Sequence, residues 1–351
     1  MKKQKVAIVG GGILGRLLAL TLIERREDKL ELSLFDKNIE SGFGSCSFTA
    51  AGMLAPFAEL EKAETEVFKL GFESLSLWPL ILKKWCCDVF YRNSGTLVVA
   101  HTQEQQDLDL LSSKMRKYEN YSSEIQPLTS SDIQNLEPDL SKKFQRGLYI
   151  CHEAHLDVRA LLPSLSQALS AYRNVHQNFG IYVDDVQAGK ILLGNQWVDF
   201  DWVFDCRGLG AQGALHGLRG VRGEIMKVRA PEVLLNRPIR LLHPRYPLYV
   251  VPLENQEYIL GATLIESEST DNISVQSVLE LLSAAYSIHS GFAEAQVLEF
   301  SAQLRPAFSD HCPRVIVEDQ KFLRINGLYR HGYLVSPALC EKVVSIFCEV
   351  K

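Results

Sequence analysis

Residues 6–15 read Val6-Ala7-Ile8-Val9-Gly10-Gly11-Gly12-Ile13-Leu14-Gly15, an apolar strand running straight into a glycine turn. From Arg16 to Arg26 the pattern is helical, and Leu30 to Phe35 is a second apolar strand that ends on Asp36. Gly10 permits a tight turn out of the strand, Gly12 lets the backbone approach a pyrophosphate, and Gly15 lets the helix pack closely on the sheet. The open amides and positive dipole end of that helix then face the phosphates. Asp36 follows Gly15 by 21 residues, where a carboxylate accepts hydrogen bonds from an adenosine ribose and repels a 2′-phosphate. Strand, turn, helix, strand and acid in this order predict a dinucleotide-binding unit. They leave FAD or NAD, rather than NADP, as its ligand.

The chain has 351 residues, more than one hydrophobic core usually organises, so two domains are expected. It is 46% hydrophobic and 23% charged, the composition of a soluble globular protein, with no biased segment that suggests disorder. A net charge of −5 with scattered lysines and arginines argues against nucleic acid as a partner. No apolar run approaches the roughly 20 residues a membrane span needs. The eight cysteines lack zinc spacing, and Cys86-Cys87 are adjacent, which suits free thiols in a reducing cytoplasm; the nine histidines lack metal-ligand spacing too. No metal is expected.

Beyond Asp36, the segment Ser41 to Pro56 is built of small residues that suit a loop pressed against something flat. Glu61 to Lys84 reads as one or two amphipathic helices, Pro79 suggesting a break, Gln103 to Tyr118 as a polar helix, and Glu119 to Ser131 as a connector. Gly95 to Ala100, Gly180 to Val186 and Trp202 to Asp205 read as strands. Asp157 reads as the N-cap of a helix from Val158 to Ala171. A closing helix is expected over Pro337 to Cys348. Glycine turns at mid-chain, Arg207-Gly208-Leu209-Gly210, and near the C-terminus predict a discontinuous cofactor domain. The expected architecture is α/β (α+β overall): a Rossmann-type domain binding that FAD or NAD from residues 1–79, 140–218 and 301–351, with a β-rich substrate domain inserted as 80–139 and 219–300.

Several segments resemble one family. VAIVGGGILG, AAGMLAP, SGTLVVA, FDCRGLGAQ, LYVVPLENQEYILGAT, QLRP and GLYRHGYLVSPAL occur in the order found in FAD-dependent oxidoreductases of the D-amino-acid oxidase type. The chain is most similar to the glycine oxidases associated with thiamine synthesis. The resemblance implies an enzyme that oxidises the C–N bond of glycine, sarcosine or a small D-amino acid by hydride transfer to flavin N5. Oxygen is the acceptor it implies. A dehydrogenase of the same fold that passes electrons to a quinone or carrier, and a non-catalytic flavin-binding protein, are the alternatives. A cytoplasmic location and a homo-oligomer are further expectations.

The chemistry needs a fixed cation for the substrate carboxylate. Arg305 is the first candidate, because a guanidinium grips a carboxylate through two parallel hydrogen bonds and a lysine does not. By resemblance Tyr249 gives the carboxylate a second hydrogen bond, Leu264 lines the substrate pocket, and Arg330 touches substrate, flavin or both. Gly10, Gly12, Ile13, Leu14, Gly15, Asp36 and Lys37 are the expected cofactor contacts of the first motif. Ser45, Thr49, Ala50, Ala51, Gly52 and Met53 match the loop along the pyrophosphate and ring, with Ser47 able to cap a helix. Cys206 and Gly208 supply the mid-chain turn; Arg330, His331, Gly332, Tyr333 and Leu334 pass the isoalloxazine edge, although a solvent-facing turn is the plainer reading of His331. The surroundings of Cys312 follow the glycine-oxidase spacing, so FAD is expected without a covalent bond.

Overall fold

The first motif forms what its pattern demands: a strand Gln4–Val9, a helix Ile13–Arg26 and a strand Leu30–Asp36. The computed structural model describes residues 3–61, 64–118, 124–243 and 247–349. Every helix position from Ile13 to Ile23 is buried, which is why the helix is apolar all round rather than striped. The two strands lie parallel with Ile8 opposite Leu34, so the helix is their crossover. Gly10 has φ +110°, and a Cβ there would lie 2.3 Å from the Cys206 carbonyl oxygen. The neighbouring strand Trp202–Asp205 forces that approach, because the Cys206 amide donates to the Val9 carbonyl at 2.7 Å. No residue with a side chain fits this turn.

Six strands make the first sheet, in the order Arg314–Asp319, Phe322–Asn326, Trp202–Asp205, Gln4–Val9, Leu30–Asp36, Val175–Phe179. All neighbours are parallel except the edge strand Arg314–Asp319. The second sheet has eight strands, in the order Gln296–Ala307, Arg219–Arg229, Glu257–Gly261, Leu248–Pro252, Ile239–Leu242, Thr96–Ala100, Arg146–Ile150, Ile125–Thr129. The helix Val275–Ile288 packs Leu281, Ala285 and Ile288 against it. This is the expected α/β class, a Rossmann-type sheet beside a β-rich one. Two strands of the eight-stranded sheet come from segments expected in the cofactor domain: Arg146–Ile150 lies wholly within 140–218, and Gln296–Ala307 crosses the boundary at residue 300.

Four local expectations need correction. The helix Thr65–Trp85 continues through Pro79, because the buried Trp78 and Leu82 on either side anchor it to the core. The connector expected over Glu119 to Ser131 lies outside the described residues at 119–123. From Ile125 to Thr129 it is a strand, and Pro127 is tolerated because that strand is a sheet edge. The strand expected over Gly180 to Val186 is displaced: Val175–Phe179 forms the sheet edge, and Asp185–Gln187 opens a separate hairpin. The closing helix spans Gly332–Glu349 and so starts five residues before Pro337. Pro337 has no N–H for the Tyr333 carbonyl one turn back. The Trp78 indole supplies the missing donor at 3.0 Å, which lets the helix begin at the cavity wall. Among the described residues no helix is long and apolar enough to cross a membrane, and no histidine, cysteine, aspartate or glutamate cluster could hold a metal ion.

Candidate active site

A cavity of 560 Å³ opens at the carboxyl ends of the parallel strands, where open α/β sheets place their ligands, and extends to the eight-stranded sheet. At one end it is built mainly of backbone. Gly10, Gly12, Ile13, Leu14 and Gly15 line it, as do Cys206 and Gly208 of the mid-chain turn. The first helix has Gly12 at its N-cap and no side-chain cap of its own. Ser47 provides one from a distant segment, its Oγ accepting the Ile13 amide at 3.1 Å. The expectation that Ser47 caps a helix is therefore met across the fold. Asp36 accepts the Gly11 amide at 2.5 Å and the Asn38 amide at 2.6 Å, which orients its carboxylate at the cavity rim beside Lys37. A turn with no side chains, a helix start facing the cavity and a hydroxyl standing across it fit a pyrophosphate and its ribose.

Ser45, Thr49, Ala50, Ala51, Gly52 and Met53 line the middle of the cavity. His331, Gly332, Tyr333 and Leu334 line it where the last helix begins, and the Tyr333 hydroxyl donates to the Ser47 carbonyl at 2.8 Å. That bond ties the start of the last helix to the loop beside the first.

The far end is built of charged side chains. Arg305, on the strand Gln296–Ala307, lies opposite Val221, and a Cβ on Gly223 would meet its guanidinium at 1.9 Å. Only glycine at 223 leaves the guanidinium room. Arg305 donates to the Thr263 carbonyl at 3.2 Å, and no ion pair with a described carboxylate accompanies that bond. Burial, and then repulsion from Arg330, hold its pKa down to about 10. Arg330 is paired instead with Glu59, at 3.3 Å. The Tyr249 hydroxyl donates to the same Glu59 oxygen at 2.5 Å, and His331 Nδ1 lies 3.8 Å from the other. Burial by itself would raise Glu59, but the charges of Arg330, His331 and Arg240 and the Tyr249 hydrogen bond bring it to about 2. Burial pushes Tyr249 up, so its phenol stays a donor. Burial, together with the Arg330 charge and against the pull of Glu59, takes His331 down to about 4, so its ring is neutral near neutral pH.

Of the residues expected to touch cofactor or substrate, Leu264 alone does not line the cavity. It is 39% exposed. Thr263 and Ile265 pair with Glu224 and Arg222 of the neighbouring strand, so the residue between them is turned outward. His331 is also corrected: it is 3% exposed, not solvent-facing, because it immediately precedes a buried helix start. Glu59 and Arg240 were not anticipated. Glu59 had one available signal, a lone acid in the otherwise apolar run Leu54 to Leu60. Arg240, 4% exposed behind the Tyr249 ring, had none.

A dinucleotide cradle at the end of a parallel sheet, opening onto a chamber of fixed charges, defines a dinucleotide-dependent oxidoreductase. The chain belongs to the FAD dependent oxidoreductase family (DAO), whose profile matches residues 5–346. FAD is thus the cofactor, which settles the choice that the first motif left open, and the chain is an enzyme of that family. It is 38% identical over 339 residues to a Rhizobium etli protein named as a thiamine biosynthesis oxidoreductase, ThiO, covering 97% of this chain and 95% of that one. It is 25% identical to the glycine oxidase of Geobacillus kaustophilus, over 95% of this chain and 89% of that one. The crystal structure of glycine oxidase from Geobacillus kaustophilus superposes with a TM-score of 0.87 at 24% identity, covering 100% of this chain and 96% of that one.

Proposed function

We propose that this enzyme oxidises the C–N bond of a small amino acid (glycine, sarcosine or a small D-amino acid) with oxygen as the acceptor of the electrons. The observation that carries the reading is Arg305, a guanidinium on the cavity wall with no ion pair to a carboxylate among the described residues and a pKa depressed by burial. A desolvated cation held in this state is stabilised by an incoming anion. Its planar fork grips an amino-acid carboxylate through two bonds and fixes the α-carbon relative to the rest of the cavity. The Tyr249 hydroxyl lies on the wall of the same chamber with its single proton on Glu59, and it becomes a further donor to the carboxylate by turning that proton from Glu59 to the substrate.

Arg330 and Glu59 serve the other end of the substrate. With its acid form confined to pH values near 2, Glu59 acts as a hydrogen-bond acceptor for the substrate nitrogen and not as a proton store. Arg330 keeps it ionised. When bound, FAD supplies the two-electron acceptor for the α-C–H bond. The residues that hold it in this reading are those of the backbone end: Gly10, Gly12, Ile13, Leu14, Gly15, Asp36, Lys37, Cys206 and Gly208. With them come Ser45 and Thr49 to Met53 along the middle, and Arg330 to Leu334 at the last helix. The product imine hydrolyses to a 2-oxo acid and ammonia.

Attachment of FAD is noncovalent in this reading, because Cys312 is not among the cavity's lining residues, while burial keeps Cys46 and Cys206 as protonated thiols. The six-stranded sheet with its helices then forms the cofactor domain and the eight-stranded sheet the substrate domain. The eight free cysteines fit a reducing cytoplasm.

Anaerobic bleaching of the yellow holoprotein by glycine, sarcosine, D-alanine and ethylamine tests the reading. The three amino acids should bleach the flavin and ethylamine should not; subsequent exposure to air should release peroxide. Bleaching by ethylamine as fast as by the amino acids, or by none of the four, would overturn it.

A further inference from the structure

Glu59 sits in the short helical turn Ala58–Glu61. The turn begins with backbone amides that have no carbonyl one turn back to accept them, as at any helix start. A second carboxyl group meets that need from another part of the chain. Glu153, fully buried at the approach to the strand Ala154–Leu156, accepts the Phe57 amide at 2.8 Å and the Ala58 amide at 2.9 Å through one oxygen. Its own backbone is fixed too, since its carbonyl accepts the Gly95 amide at 2.9 Å. Thr96 and the Arg240 guanidinium face the same carboxyl group, and Arg240 also acts on Glu59 and Tyr249. Glu153 does not line the cavity.

We propose that Glu153 is a positioning residue: by capping the Phe57 and Ala58 amides it fixes the turn that aims the Glu59 carboxylate at Arg330, Tyr249 and the substrate nitrogen. The role rests on the reading of Glu59 given above. A buried carboxyl group holding two consecutive amides leaves Glu59, one residue further on, little freedom of direction. Loss of that acceptor releases two buried donors, which then compete for other partners and rotate the turn. Glu153 thus acts through Glu59 and touches neither substrate nor cofactor.

The test uses the FAD-loaded enzyme and the amino acid of the panel that bleaches it fastest, measuring flavin reduction against substrate concentration. Glu153→Ala should raise the half-saturation concentration about tenfold, while retaining a full complement of FAD and an unchanged flavin spectrum. Glu153→Gln keeps an oxygen for both amides and should restore half-saturation to within about threefold of the wild type. A variant that instead loses FAD or melts early with unchanged half-saturation shows a merely structural role and overturns the proposal. So does Glu153→Gln behaving like Glu153→Ala. Should Glu153→Ala fail to fold, Glu153→Asp, whose carboxylate is drawn back from the amides, decides: a raised half-saturation concentration upholds the proposal and an unchanged one rejects it. Glu59→Gln separates the two levels. If it leaves substrate binding unchanged, the reading of Glu59 fails and takes the proposal with it. If it weakens binding but Glu153→Ala does not, the positioning role alone fails.

Discussion

The two ends of the cavity are made by different means. The cofactor end is mostly backbone: a glycine turn, a helix start, and side chains such as Ser47 and Asp36 that themselves bond to amides. The substrate end is made of Arg305, Arg330, Glu59 and Tyr249, drawn from four separated stretches of the chain; Arg330 and Tyr249 are held by Glu59, and Arg305 by the Thr263 carbonyl. A backbone site depends on where the chain can go, so single changes there act through sterics and fail abruptly. A side-chain site depends on balanced charges, so single changes there act through affinity and pH.

Gly10→Val gives the largest expected effect. Its Cβ would overlap the Cys206 carbonyl, which belongs to backbone and cannot move aside without breaking the strand pairing. The positive φ adds strain of its own. The variant should yield no yellow, folded protein, as read from flavin absorbance per protein after purification. A normal FAD content would break the comparison at its firmer end.

Arg305→Ala comes next. It should retain FAD and a native melting profile, yet reduction by amino acids should fall by at least about ten- to a hundredfold at low substrate. That matches about 1.5–3 kcal/mol for a lost hydrogen bond to a charged group. Misplacement of the α-carbon adds to the loss. Arg305→Lys should recover only part, since a point charge does not hold the carboxylate plane. Single-turnover rates equal to the wild type at low substrate would remove Arg305 from the site.

Asp36→Ala tests the backbone end more gently. Weaker retention of FAD, by about tenfold in dissociation constant, should accompany an unchanged half-saturation for the amino acid in the reloaded enzyme. The structure adds a reason beyond ribose contact: the carboxylate also holds the Gly11 amide, so its loss loosens the glycine turn. An unchanged FAD dissociation constant would show that the turn is rigid without it and that Asp36 is not the ribose acceptor.

The same contrast explains what could be read from the sequence. The cofactor end was legible because one contiguous stretch, Val6 to Asp36, carries its strand, turn, helix and acid, and local pattern encodes local backbone. Arg305, Tyr249 and Arg330 came from resemblance to a family, supported by the chemistry of guanidinium and phenol. Glu59 escaped because its function depends on partners 190 and 271 residues away, which no local pattern encodes. Leu264 was misplaced because side-chain direction after a strand depends on which residues keep pairing, here Thr263 and Ile265. The closing helix was begun five residues late because Pro337 normally marks a helix start, and the compensating indole of Trp78 arrives from 259 residues earlier in the chain (337 − 78).

The smallest expected effect lies within the charged end and sets two buried carboxyl groups against each other. Burial raises Glu153 to about 7, whereas the surrounding cations bring Glu59 to about 2 despite burial. The unfolded value of a glutamate is about 4.3. For Glu59 the folded pKa is the lower one, so its contribution to stability is fully present above about pH 4.3 and is lost as pH falls through about 2. For Glu153 the folded pKa is the higher one. The folded protein holds its proton more tightly, so stability falls as pH rises from about 4.3 through 7 and the penalty is complete above that. Glutamine is a fixed neutral analogue of each acid, and the two substitutions should therefore diverge with pH. At pH 8 Glu59→Gln should lower the melting temperature of the holoenzyme, and Glu153→Gln should raise it by a few degrees. At pH 5 the Glu153→Gln difference should shrink to roughly a third of its value at pH 8, while most of the Glu59→Gln deficit should remain. Melting curves of the two variants and the wild type at pH 5, 6.5 and 8 read both signs at once. A Glu153→Gln difference that is flat with pH would mean that Glu153 is ionised throughout and that Arg240 serves it as fully as Arg330 serves Glu59.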